Sequence, residues 1–187
     1  MKVQQVKKFL NASYKGGKHK IDSYERVGSL SGKRAQVYYD PVLKKAIVTH
    51  RGTKTSSFSD LITDAQMAVG YEKGKRFQHA KKVQSKAEKL YGRENVTTMG
   101  HSLGGRLAEK VGHKSNKIIT YNKAATPKSI LKKTPAHQTD IRAKNDPVSL
   151  LSKYQTHTKP ILSTKGSMNL LKTHSMSKLK YIKNKDI

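Results

Sequence analysis

The chain has 187 residues, 34% of them hydrophobic, with 39 Lys and Arg against 12 Asp and Glu and no cysteine. That composition fits a single domain over residues 1–187, large enough to bury roughly 70% of its unfolded surface, and it excludes a disulfide framework, a cysteine nucleophile and a cysteine-based metal site. No stretch approaches the ~20 apolar residues of a membrane span, and the charged run Met1–Leu10 lacks the apolar core expected of a secretory signal.

In chain order, the pattern predicts a helix over Val3–Tyr14, then a hairpin of Ala35–Tyr39 and Lys45–His50 joined through Asp40 and Pro41. A helix over Ser59–Val69 and a longer one over Lys75–Tyr91 follow. In the longer helix Val83, Ala87 and Leu90 form an apolar stripe opposite a basic face. Asn95–Met99 reads as a strand that runs into a glycine-rich turn and an amphipathic helix carrying Leu107, Ala108 and Val111. Strands over Lys117–Tyr121 and Asp140–Ala143 flank a helix start at Thr126 and Pro127. Tyr154–Thr158 reads as a late strand, and Met176, Leu179 and Ile182 mark a last helix. Strands alternating with helices predict an α/β fold with a mostly parallel central sheet and helices on both faces.

The glycine-rich turn is Gly100-His101-Ser102-Leu103-Gly104-Gly105. Strand, sharp turn and helix around a central serine form the nucleophile elbow of serine hydrolases. A serine at a strained, left-handed position projects its Oγ clear of the sheet, and its neighbours two residues away must then lack side chains. Gly100 and Gly104 meet that need, with Gly105 beside them. The following helix start offers unpaired N–H groups to an oxyanion. No Gly-Lys-Ser/Thr follows, so a P-loop is disfavoured.

A serine of this kind needs an acid and a histidine later in the chain, in the order Ser, Asp, His. Beyond Ser102 the carboxylates are Glu109, Asp140, Asp146 and Asp186. Glu109 lies on the helix after the elbow and points away from its mouth, Asp186 is penultimate, and Asp140 opens its strand at the wrong end. Asp146 closes the same run at the C-terminal edge, where α/β sheets place their sites, and Pro147 stops the strand. Asp146 is therefore the expected acid. Of the later histidines, His157 falls in the expected late strand and His174 in a loop before the last helix. His174 is the preferred base and His157 the alternative.

Three separated motifs carry a resemblance. Ala46–His50 is an apolar strand ending in Arg51-Gly52-Thr53; Phe58-Ser59-Asp60-Leu61-Ile62-Thr63-Asp64 is a short acidic segment; and Asn145-Asp146-Pro147-Val148 follows the elbow. Together with the elbow they resemble the class 3 (fungal-type) lipase family over roughly residues 36–180. The chain is also similar to compact lipase-like domains encoded by large DNA viruses. The resemblance implies an α/β-hydrolase fold of reduced size, a lipid acyl-ester substrate and no metal or cofactor. It implies Ser102 as nucleophile, Asp146 as acid, His174 as base, and the backbone amides of Thr53 and Leu103 as oxyanion hole. His50 stands where the family often has an aromatic, Leu61 where a tryptophan is common, and Arg106 where a small residue follows the elbow glycines. These departures touch the lid and substrate pocket and leave the triad intact.

The net charge of +27 is spread along the chain rather than held in one tail. It implies attraction to a polyanion, either an anionic membrane surface or nucleic acid bound non-specifically. Lysine-rich, aromatic-poor composition favours diffuse phosphate attraction over base recognition. Two function classes follow. One is a lipase or phospholipase working at an anionic lipid surface, inside a cell or packaged in a virus particle. The other is a retired hydrolase fold serving as a basic nucleic-acid-binding or virion structural protein. Its intact Ser, Asp and His argue against the second.

Overall fold

Helix α1 (Val3–Tyr14) spaces Val3, Val6, Phe9 and Leu10 along one face, and all four are fully buried. Each such side chain contributes about 1.5–3 kcal/mol by leaving water. They lie on one face of a mixed sheet whose strands stand in sequence order: β1 (Lys20–Ile21), β2 (Tyr24–Arg26), β3 (Ala35–Asp40), β4 (Lys45–His50), β5 (Val96–His101), β6 (Lys117–Tyr121), β7 (Gln138–Ala143) and β8 (Leu162–Thr164). Pairing is antiparallel from β1 to β4 and parallel from β4 to β8. The computed structural model describes residues 1–54, 74–125, 127–156, 162–165, 168–181 and 187. The expected helix over Ser59–Val69, His157 and Asp186 lie outside the described residues.

Alternation along the strands sorts the core into two layers. Tyr38, Ile47, Met99, Ile119, Tyr121 and Ile141 pack under α1 with Leu179. Val37, Ala46, Val48 and Val96 face the other way, onto Val83 and Ala87 of α2 (Lys75–Tyr91). Helix α3 (Leu103–Val111) packs on that second face through Leu107 and Val111, against Ala80 of α2. Helices on both faces and parallel pairing in the second half make this a small α/β fold with a mixed, largely parallel sheet.

Several expected elements shift. Leu90 is 63% exposed, and Ala80 and Gln84 take its place on the buried face of α2. Strand β7 begins two residues early, at Gln138, so Asp140 sits inside it rather than at its start. Tyr154 closes a 3-10 helix (Leu150–Tyr154) instead of opening a strand. A proline-bounded stretch of mixed polar residues carries too little alternation to separate the two. His174 ends a short helix, α5 (Leu170–His174), after α4 (Pro127–Ile130), and a 3-10 helix (Met176–Tyr181) follows in place of the expected last α-helix.

Candidate active site

The C-terminal ends of the parallel strands gather the chemistry-bearing residues on one edge of the sheet, where open α/β sheets hold their sites. Ser102 leaves β5 at φ 58°, ψ −129°, and its N–H donates to the Tyr121 carbonyl at 3.0 Å. Its own carbonyl accepts from Gly105 N at 3.0 Å and Ala124 N at 3.1 Å. A side chain at Gly100 would overlap the Gly104 carbonyl, and one at Gly104 would overlap the His50 carbonyl. The elbow is thus pressed backbone to backbone against the end of β4. Gly52 completes that contact, since a Cβ there would lie 2.6 Å from the His101 carbonyl and 3.1 Å from Ser102 Cβ. Arg51-Gly52-Thr53 therefore runs directly beside the serine, and Leu103 opens α3 where a helix leaves N–H groups unpaired. The Arg76 guanidinium braces this segment by donating to the Arg51 carbonyl at 2.7 Å and the Gly52 carbonyl at 3.3 Å.

His174 and Asp146 meet at the same edge. His174 Nδ1 lies 2.8 Å from Asp146 Oδ1, with Asp146 1% and His174 4% exposed. The other carboxylate oxygen accepts from Ser149 N at 2.9 Å. A carboxylate only accepts, so Nδ1 supplies the proton of this bond and Nε2 is the ring nitrogen turned away from Asp146. Ser102 Oγ and His174 Nε2 are both buried and hydrogen-bonded to nothing among the described residues. The structure thus forms the Asp146–His174 hydrogen bond and leaves Ser102 Oγ and His174 Nε2 unbonded to each other.

Sequence reasoning overlooked Asn122, at φ 42° just past β6. Its Nδ2 donates to the carbonyls of Thr173 at 3.1 Å and His174 at 2.9 Å, while its Oδ1 accepts from Ala143 N at 2.8 Å. One buried side chain therefore ties the histidine segment to the strand that leads into Asp146. An asparagine in a left-handed turn is a signal, but only the tertiary structure shows what it spans.

Asp140 and Glu109 have a different office. Lys123 Nζ, 2% exposed, pairs with Glu109 and lies 3.0 Å from Asp140 Oδ2 and 3.1 Å from Gln155 Oε1. Glu109 also pairs with Arg106, and Gln138 Nε2 donates to both carboxylates. Burial alone would raise the Glu109 pKa, but the Lys123 and Arg106 charges outweigh it and hold the group below its ordinary value. Arg106, a departure from the lipase-like pattern, is accounted for by this cluster. His50, another, is buried and donates from Nε2 to Gln84 Oε1 at 3.4 Å; burial pushes its pKa down to about 4.

Residues 13–180 match the family described as phospholipase-like, Tle-like phospholipase domain. Among solved structures, the chain is similar to EstE1, a thermophilic and thermostable carboxylesterase cloned from a metagenomic library. The TM-score is 0.48 at 13% identity, over 92% of this chain and 87% of that one. No curated protein sequence matches the chain. No helix among the described residues is long and apolar enough to cross a membrane.

Proposed function

The chain belongs to the Tle-like phospholipase domain family, and from that premise we propose that it is a serine hydrolase of phospholipid acyl esters, with Ser102, Asp146 and His174 as its catalytic triad. The observation that carries the assignment is the Asp146–His174 pair at 2.8 Å, with Ser102 Oγ and His174 Nε2 both buried and unclaimed.

In this reading Ser102 Oγ attacks the ester carbonyl carbon while its proton passes to His174 Nε2. Asp146 keeps the Nδ1 proton in place and stabilises the imidazolium. The carbonyl oxygen, now an oxyanion, takes hydrogen bonds from the Thr53 and Leu103 amides, the first following Gly52 beside Ser102 and the second opening α3. Collapse expels the lysolipid alcohol with the proton from His174. Water, deprotonated by the same nitrogen, then releases the fatty acid from Ser102.

The three-motif resemblance to class 3 lipases supports an acyl ester as the bond cleaved. The +27 charge favours an anionic phospholipid surface over neutral triglyceride, because lysines gain energy only where the interface is negative. The same charge would suit a retired hydrolase bound to nucleic acid, and one experiment separates the two. A fluorophosphonate probe should label the protein and not Ser102→Ala, with phospholipid hydrolysis lost in parallel. Absence of labelling in the folded protein would overturn the enzyme reading.

A further inference from the structure

Helix α1 ends in Tyr14, far in sequence from every residue of the proposed triad, yet its hydroxyl reaches the active-site edge. Tyr14 Oη lies 2.9 Å from His101 Nδ1 and accepts from Gly52 N at 3.1 Å. His101 Nε2 in turn lies 2.8 Å from the His174 carbonyl oxygen.

The direction of every bond in this chain is fixed by elementary donor and acceptor rules. A carbonyl oxygen only accepts, so His101 Nε2 must carry a proton. In the neutral ring, Nδ1 is then a bare acceptor. Tyr14 must donate its hydroxyl hydrogen to that nitrogen, which leaves the oxygen lone pairs to accept the Gly52 N–H. The order is therefore Gly52 N–H to Tyr14 Oη, Tyr14 O–H to His101 Nδ1, and His101 Nε2–H to the His174 carbonyl.

We propose that Tyr14 and His101 are positioning residues that hold the oxyanion segment and the histidine segment in register with Ser102. This rests on the triad reading above. Gly52 immediately precedes Thr53, His101 immediately precedes Ser102, and His174 is the base, so one relay touches all three parts of the site. The His174 carbonyl is clamped twice, by His101 and by Asn122 Nδ2 at 2.9 Å. With its ring held by Asp146, His174 is fixed at both its main chain and its side chain.

The surroundings of His101 keep it neutral. It is 6% exposed and faces Tyr14 from α1, Tyr121 stacked at 5.5 Å from β6, and the His174 ring at 4.7 Å from α5, with the Asp146 charge beyond. Burial, followed by the proximity of His174, pushes its pKa down to about 3, against smaller opposing effects of the His174 carbonyl and Asp146. The Arg51 and Arg76 charges lie toward Tyr14, whose own pKa burial drives upward. Tyr14 thus remains a donor across the working range.

The test has a structural arm and a kinetic arm on the full chain. With histidine labelled by nitrogen-15, imidazole spectra should show His101 as a single Nε2–H tautomer that does not titrate between about pH 5 and 8. Tyr14→Phe removes only the hydroxyl: Nε2 stays protonated against the His174 carbonyl, and the Nδ1 resonance should move toward that of an imine nitrogen that accepts no hydrogen bond. The kinetic arm uses a soluble short-chain ester. Misplacement of a catalytic group by about 1 Å costs on the order of 10²-fold, so Tyr14→Phe should lower kcat by roughly 10- to 100-fold while KM changes less than about twofold. His101→Leu should show the same split. His101→Gln, whose side-chain N–H can still reach the His174 carbonyl, should recover most of kcat and guards against a folding artefact. An unchanged His101 Nδ1 resonance in Tyr14→Phe overturns the proposal, and so does a change confined to KM. If the Nδ1 resonance responds but even the parent protein lacks Ser102-dependent esterase activity, the relay stands as a structural fact and its positioning role falls with the triad reading.

Discussion

Lys123 Nζ lies 3.0 Å from Asp140 Oδ2, inside a cluster that Glu109, Arg106 and Gln138 complete. That pairing separates two aspartates six positions apart on the same stretch of chain. Asp140 faces α3 and spends its charge on Lys123, while Asp146 lies past the strand end against His174. The sheet register is the cause. Asp140 pairs with Thr120 in mid-strand and its side chain turns to the helix-covered face, whereas Asn145, at φ 64°, turns the chain so that Asp146 comes over the edge.

Asp146→Asn and Asp140→Asn should therefore fail differently. The first should lower kcat by about 10⁴-fold with little effect on folding, through the wrong histidine tautomer and lost charge stabilisation. The second removes one partner of a buried ion cluster, which costs about 3–5 kcal/mol, and should lower the melting temperature while sparing kcat in the fraction that remains folded. Steady-state kinetics beside thermal unfolding checks both. Loss of kcat with a normal melting temperature in Asp140→Asn would reverse the assignment.

Ser102→Ala and His174→Ala should be equally severe, since a nucleophile and its base act as a unit whose loss costs on the order of 10⁶ in kcat. His157→Ala should be mild. Burst kinetics with a chromogenic ester reads all three, and an inactive, folded His157→Ala would move the base to that residue.

The elbow was legible because its geometry restricts composition: the contacts of Gly100 and Gly104 with facing backbone admit no side chain, and a pattern of glycines survives in sequence. Helices Val3–Tyr14 and Lys75–Tyr91 were legible for a related reason, their apolar spacing being regular over three turns or more. Strands β1, β2 and β8 run two or three residues each, too short for alternation to stand out. The ion cluster was illegible in principle. Nothing local marks Lys123 and Glu109 as partners, and only the packing of α3 on β5 and β6 brings them together out of water. Tyr14 and His101 were hidden likewise, because a hydrogen bond across 87 positions leaves no local trace.

The same cluster gives a pH signature. Glu109 is held below its ordinary pKa of 4.5 by Lys123 and Arg106 against the opposing effect of burial. The unfolded chain therefore binds the proton more readily, and stability rises with pH through this range. The contribution is complete above about pH 5 and drains as pH falls through the lowered folded value. Urea unfolding across the acid range should show this slope, and Glu109→Gln should flatten it. An unaltered slope would mean that other carboxylates govern the acid limb.

The excess of lysine predicts how the enzyme finds its substrate. Each lysine near an anionic membrane adds about 1 kcal/mol of attraction, and the effect fades within a Debye length of ~8 Å at physiological salt. The outward face of α2 presents Lys75, Lys81, Lys82, Lys86 and Lys89, all exposed. About five such charges acting together would raise the surface concentration by some thousandfold, whereas neutral lipid offers them nothing. Binding to vesicles and turnover of their phospholipid should both climb with the fraction of phosphatidylglycerol and fall steeply with added salt. Hydrolysis of a soluble short-chain ester should stay flat under the same salt, because Ser102, His174 and Asp146 are all buried and a buried site is poorly screened. Replacing Lys81, Lys82, Lys86 and Lys89 by glutamine should weaken vesicle turnover and leave the soluble reaction intact. Equal rates on neutral and anionic vesicles at low salt would reject charge targeting and leave an esterase indifferent to its interface.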